Sequence, residues 1–226
     1  MASVLDDPIT TEMTVGDLFD RFGPIPLWRI VFDPAPGTAT FDDVLARYYR
    51  TGRFCELVDG VMVEKDISFD ASRMACLLAA PICQSAEARK LGVVSGEQEF
   101  IRLTTGNVRG PDVTFVKSDR FPGGRMPEEP LPALVPTLAV EVMSPGNTKR
   151  EMANKLADYF RSGVELVWFV YPEQKQVVVF TSDEKITELG VTDTLDGGSV
   201  LPGFSLVLSK LFADPLVGHS PATSGK

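Results

Sequence analysis

The sequence predicts one α/β domain with a central mixed sheet of about five strands flanked by helices. The order of apolar patterns runs helix, several short and mostly antiparallel strands, helix, then strands. An Asp59-Gly60 pair between two apolar runs is a strong hairpin signal. Amphipathic stripes at 70–89 and 148–161 supply helices for the faces of the sheet.

Taken in order, residues 1–38 read as an N-terminal extension, with a short helix capped by Thr14 and supported by Asp17. Phe32-Asp33-Pro34-Ala35-Pro36-Gly37 reads as a linker. The domain proper spans 39–212. Thr40 caps a helix that ends at Thr51-Gly52, and the hairpin follows over Cys55–Glu64. The helix from Asp70 to Arg89 turns Met74, Leu77, Leu78 and Ile82 to one side. Strands are expected at Val93–Leu103, Asp112–Val116 and Leu138–Met143, with an irregular Pro/Gly-rich loop over Lys117–Pro136. Asn147-Thr148 starts a helix with the stripe Met152, Leu156, Tyr159 and Phe160. Strands at Glu165–Val170 and Gln176–Thr181, a strand pair around Asp196-Gly197-Gly198 and a short helix over Leu206–Phe212 complete the domain. Residues 213–226 read as a disordered tail.

Composition narrows the chemistry. The three cysteines, Cys55, Cys76 and Cys83, form no C-x-x-C pair, which argues against a disulfide framework or zinc site and for a reducing cytoplasm. Cys76 and Cys83 read as core thiols of a helix. No signal-peptide pattern opens the chain, and no apolar stretch approaches the roughly 20 residues of a membrane span. The single histidine, His219, lies in the tail, so Ser-His-Asp triads and histidine metal clusters are excluded. The net charge of −9 opposes broad attraction to nucleic acid. It is unevenly spread: residues 1–70 carry −7, whereas 89–125 carry +3 and 145–161 carry +2.

Three charges stand where an apolar core is expected. Asp112 opens a strand, Glu141 interrupts Thr137–Met143, and Lys155 sits at the edge of the inward face of its helix. Buried carboxylates are seldom kept unless paired or bound to a cation. If the two strands are neighbours, Asp112 and Glu141 converge and can hold Mg²⁺, which needs only one or two carboxylates and keeps waters for a phosphate. Lys155 can then reach a scissile phosphate or attacking water, and Glu56 can supply another ligand or orient a water. Arg109, Lys149 and Arg150 are candidate phosphate contacts. The plainer alternatives stay open: a Glu141–Lys155 pair without catalytic role, a solvated Glu56, and ordinary surface charge for Arg102, Arg109, Lys117, Arg120 and Arg125.

The runs Glu56-Leu57-Val58-Asp59-Gly60, Pro111-Asp112-Val113, Val140-Glu141-Val142-Met143-Ser144-Pro145 and Lys155-x-x-x-Tyr159-x-x-x-Gly163-Val164-Glu165-x-x-Trp168 together resemble the Uma-type family of restriction-endonuclease-like proteins. That family lies within the PD-(D/E)XK nuclease superfamily, and the resemblance covers roughly 40–212. It implies a restriction-endonuclease-like core and a Mg²⁺-dependent site cutting phosphodiester bonds in DNA, with Mn²⁺ able to substitute. Asp112 falls on the PD aspartate and Glu141 on the acidic half-motif, both as metal ligands. The lysine of that half-motif would stand at Met143, and Lys155 on the next helix takes its place. Glu56 looks like the superfamily's helix-borne acid. Members commonly carry a histidine early in the long helix, where this chain has Ala71-Ser72-Arg73-Met74. An inactive nuclease-fold module binding nucleic acid or protein is therefore the competing reading. Cutting both strands with one site per chain, together with the apolar run Ile25–Phe32, leads to the expectation of a homodimer, with packing of that run over the sheet edge of its own chain as the alternative.

Overall fold

The structure, a computed structural model, describes residues 13–53, 55–96, 100–129, 131–182, 185–214 and 216. Most of the expected tail, and the first 12 residues of the extension, lie outside them. In chain order the elements begin with α1 (Val15–Phe22), β1 (Ile30–Val31), α2 (Phe41–Thr51), β2 (Glu56–Val58), β3 (Val61–Val63) and α3 (Phe69–Ala88). Five strands follow, β4 (Gly92–Ser95), β5 (Ile101–Arg102), β6 (Val108–Arg109), β7 (Val113–Lys117) and β8 (Leu138–Val142). Then come α4 (Lys149–Ser162), β9 (Leu166–Tyr171), β10 (Gln176–Thr181), β11 (Ile186–Leu189), β12 (Thr194–Gly197), β13 (Leu201–Val207) and α5 (Leu208–Leu211).

The main sheet has six strands in the order β11-β10-β9-β8-β7-β4. Among the described residues its only parallel pair is β8 with β9, and α4 makes the crossover between them. Strand β8, Leu-Ala-Val-Glu-Val, is buried on both faces because a helix covers each side. Leu138, Val140 and Val142 pack with Ala71, Met74, Leu78 and Ile82 of α3. Ala139 and Met143 turn the other way, toward Met152 and Tyr159 of α4. Strand alternation places Glu141 on that second face.

The hairpin forms where expected. Asp59 and Gly60 take φ of 47° and 78°, the two positive angles of a tight turn. A side chain at Gly60 would run into the Gly37 carbonyl, because Gly37 N and Ala39 N both donate to the Gly60 carbonyl, at 2.8 and 2.9 Å. The hairpin belongs to a second, antiparallel sheet in the order β1-β3-β2-β6-β5. The stretch expected as one strand over Val93–Leu103 is divided between the two sheets, with β4 in one and β5 in the other.

Residues 13–38 are knitted into the structure. Ile30 and Val31 pair with Val63 and Met62. Arg29, 2% exposed, donates to both oxygens of Glu151 at 2.6 and 3.0 Å and to the carbonyls of Glu64 and Gly146. Two expectations about α3 need correction. Leu77 is 38% exposed and Cys76 is exposed as well, because Met74, Ala75, Leu78 and Ile82 define the inward stripe. Only Cys55 is a core thiol, and burial pushes its pKa up to about 11.

Candidate active site

The two strands expected to be neighbours are adjacent. Val113 pairs with Val140 and Thr114 with Ala139 in antiparallel register. Asp112 stands just before this paired run, close enough to Glu141 for its charge to act on it. Backbone and side chain both tie Asp112 to β8: its N–H donates to the Val140 carbonyl at 2.9 Å, and Val142 N donates to Asp112 Oδ2 at 2.6 Å.

Helix α4 brings the third member. Thr148 caps it, accepting from Glu151 N at 3.0 Å, while the Glu151 side chain reaches back to Thr148 N. Lys155 lies two turns in, with its side chain 4% exposed. Its ammonium bridges Glu141 Oε2 at 2.9 Å and Glu56 Oε1 at 3.0 Å. Tyr159, one turn further, donates to Glu141 Oε1 at 2.5 Å. Asp112, Glu141, Lys155 and Glu56 are thus gathered into one buried cluster.

Arg109 requires correction, both as a phosphate contact and as surface charge. It is 1% exposed and spends its guanidinium inside the protein, on Glu56 Oε2 at 2.9 Å and Asp158 Oδ2 at 2.5 Å. Asn107 adds a donor to Asp158 at 3.0 Å, and Gly110 N donates to Glu56 Oε1 at 3.1 Å. Its basic neighbours stay nearer solvent: Arg102 lies over the Phe41 ring at 4.6 Å, and Lys117 and Arg120 share Glu165. Lys149 and Arg150 are exposed in the first turn of α4, where Arg150 donates to the Asp20 carbonyl at 2.7 Å. Lys149 lines a largely apolar cavity of about 480 Å³ beside Met143, Met152, Leu156, Phe169 and Tyr171.

Two residues of the cluster carried no sequence signal for it. Lys65, just beyond β3, sets its ammonium 2.7 Å from Asp112 Oδ1. Asp158, on the α4 face with Lys155, anchors Arg109.

The carboxylates are electrostatically unlike. Burial pushes Glu141 up to about 6; Lys155 opposes this, while the charges of Asp112 and Glu56 add to it. Burial also opposes ionisation of Glu56, but Lys155 and Arg109 together hold it down at about 2. The difference lies in Arg109, which touches Glu56, and in the carboxylate charges of Asp112 and Glu56, which act on Glu141. Burial disfavours the charge on Lys155, yet Glu141 and Glu56 more than offset it and hold the ammonium above its ordinary range.

Among the described residues no group of three or more Asp, Glu, Cys or His side chains forms a ready metal cage. The donor set nevertheless suits a hard divalent ion, since two carboxylates lie near each other and one already carries a cation on an oxygen.

A twisted mixed sheet with carboxylates at the end of adjacent strands and a lysine from the crossover helix is the restriction-endonuclease-like core. A solved structure described as a putative nuclease belonging to DUF820, from Anabaena variabilis, has a similar fold. The two superpose with a TM-score of 0.65 at 14% identity, over 75% of this chain and 97% of that one. Over residues 41–209 the chain matches the family Uma2, described as "Putative restriction endonuclease", and it belongs to that family. No curated protein matches it. Among the described residues no helix is long and apolar enough to cross a membrane.

Proposed function

We propose that the chain is a Mg²⁺-dependent endonuclease that hydrolyses phosphodiester bonds in DNA. The observation that carries this is the closeness of Asp112 to Glu141, with Lys155 on an oxygen of the latter. Asp112 Oδ1 and the Glu141 carboxylate would hold the ion, and Mn²⁺ can substitute. Bound there, a divalent ion supplies Lewis acidity and neutralises charge building up on the phosphoryl group.

The chain's own residues do the rest. Glu56, kept ionised by Arg109 and Lys155, fixes the ammonium position. Tyr159 orients Glu141. Lys149, exposed at the start of α4, meets the backbone of the nucleic acid electrostatically. The test is plasmid and single-stranded DNA incubated with the protein and Mg²⁺ or Mn²⁺. Nicking by wild type and none by Asp112→Ala is expected; equal nicking by both removes the proposal.

A second reading has its own support, because Glu56, Asp112, Glu141, Asp158, Lys65, Arg109 and Lys155 all have partners within the cluster. Such a closed network suits an inactive module binding nucleic acid or protein. Calorimetric titration with Mn²⁺ separates the two: binding lost in Glu141→Gln supports the enzyme, and no binding supports the module.

We further propose a cytoplasmic homodimer, in which two sites serve the two DNA strands. Leu27, Trp28 and Phe32 are 50%, 64% and 54% exposed and are available for a second copy. Sedimentation as a monomer at micromolar concentration would exclude it.

A further inference from the structure

Lys65 lies outside every motif that led to the site, yet it holds the carboxylate at the centre of it. Its ammonium stands on Asp112 Oδ1, the oxygen left over after Val142 N has taken Oδ2. Its charge also acts on Glu56 and Glu141. The irregular stretch that carries it is fastened on both sides. Glu64 N donates to the Arg29 carbonyl at 2.7 Å, and Gly146 N donates to Asp66 Oδ2 at 2.7 Å. The backbone is therefore held, so that a departure of the ammonium would need only the long stem to move. With a side chain 14% exposed, against 4% for Lys155, Lys65 is the cluster lysine with a route to solvent.

Charge balance gives the movement a direction. Four carboxylates, Glu56, Asp112, Glu141 and Asp158, face three cations, Lys65, Arg109 and Lys155. A divalent ion added beside all three leaves a buried positive excess. The same ion exchanged for the Lys65 ammonium leaves the cluster neutral. Both cannot sit close against one oxygen without strong repulsion.

We propose that Lys65 is an internal competitor of the divalent ion: the ammonium and the ion exchange on Asp112 Oδ1, and Lys65 swings outward when the ion binds. This rests on the metal-site reading above.

The probe is Mn²⁺ alone, titrated into the full chain by calorimetry. Lys65→Met is expected to bind it on the order of tenfold more tightly than wild type, the worth of one partly buried ion pair. Lys65→Arg is expected to stay at or below wild-type affinity. Loss of a nearby charge could tighten binding without any movement, so a second readout follows the side chain itself. Acetylation of Lys65 in the wild-type protein, followed by mass spectrometry, should accelerate several-fold in saturating Mg²⁺ and return to its starting rate with chelator. This readout decides the matter even if Lys65→Met does not fold. Wild-type Mn²⁺ binding with unchanged Lys65 acetylation, or with a folded Lys65→Met no tighter, overturns the exchange and leaves the metal site standing. No Mn²⁺ binding to either protein removes the metal site and the exchange with it.

Discussion

Tyr159 donates its hydroxyl to Glu141 at 2.5 Å, one helical turn beyond the lysine that holds the other oxygen of the same carboxylate. Helix α4 thus grips Glu141 at both oxygens through residues spaced by four, which share one helix face. Burial and the adjacent Glu141 charge push the phenol well above its ordinary pKa, so it remains a donor.

Tyr159→Phe keeps the ring and removes that donor. Chemical denaturation should show a loss of about 2 kcal/mol, the scale of a hydrogen bond to a charged group. DNA cleavage should slow more than DNA binding weakens, because the carboxylate loses its fixed orientation. Unchanged stability would mean that the bond contributes nothing.

Arg109→Met should cost about 3–5 kcal/mol or prevent folding, since Glu56 and Asp158 would both be left buried without their arginine. Arg125→Gln, on the exposed loop, should stay within about 0.5 kcal/mol. A normal melting temperature in Arg109→Met, with weakened DNA binding alone, would return Arg109 to the surface role expected from sequence.

These two arginines show where sequence reading succeeds and stops. Local features were legible: Thr14, Thr40 and Thr148 cap their helices, and the Asp59-Gly60 turn is in place. Glu141 and Lys155 were legible because each is a charge set into an apolar pattern. Arg109 and Lys65 were not. Their partners lie 49 and 47 residues away, and nothing adjacent in the chain marks them apart from Arg102 or Lys117. Strand β1 escaped for a related reason, being two residues long and formed only through its pairing with β3.

The two glutamates should respond to pH in opposite senses. Glu56 has a folded pKa held at about 2, below its ordinary 4.5, so its contribution to stability is present above 4.5 and lost as pH falls toward 2. Glu141 is raised to about 6, so its contribution is present below 4.5 and lost as pH rises through 6. Denaturation across this range should therefore show the advantage of wild type over Glu56→Gln shrinking in acid. Its advantage over Glu141→Gln should shrink between pH 4.5 and 6. A parallel response of the two variants would contradict the assignment.

Lys149 is exposed and should act on DNA without acting on the fold. Lys149→Gln should leave the melting temperature unchanged and reduce the slope of log affinity against log salt by about 1, one phosphate contact fewer. An unchanged slope would take Lys149 out of the interface.

The buried Arg29–Glu151 pair bears on where the chain can be cut. Glu151 lies on α4 four residues before Lys155, and Arg29 reaches it from a segment that the sequence presents as an extension ahead of a linker. A shortened protein beginning at residue 39 would retain every strand of the main sheet, yet leave an uncompensated carboxylate beneath the helix that positions Lys155. The smallest unit that can keep its lysine in place therefore starts upstream of Arg29.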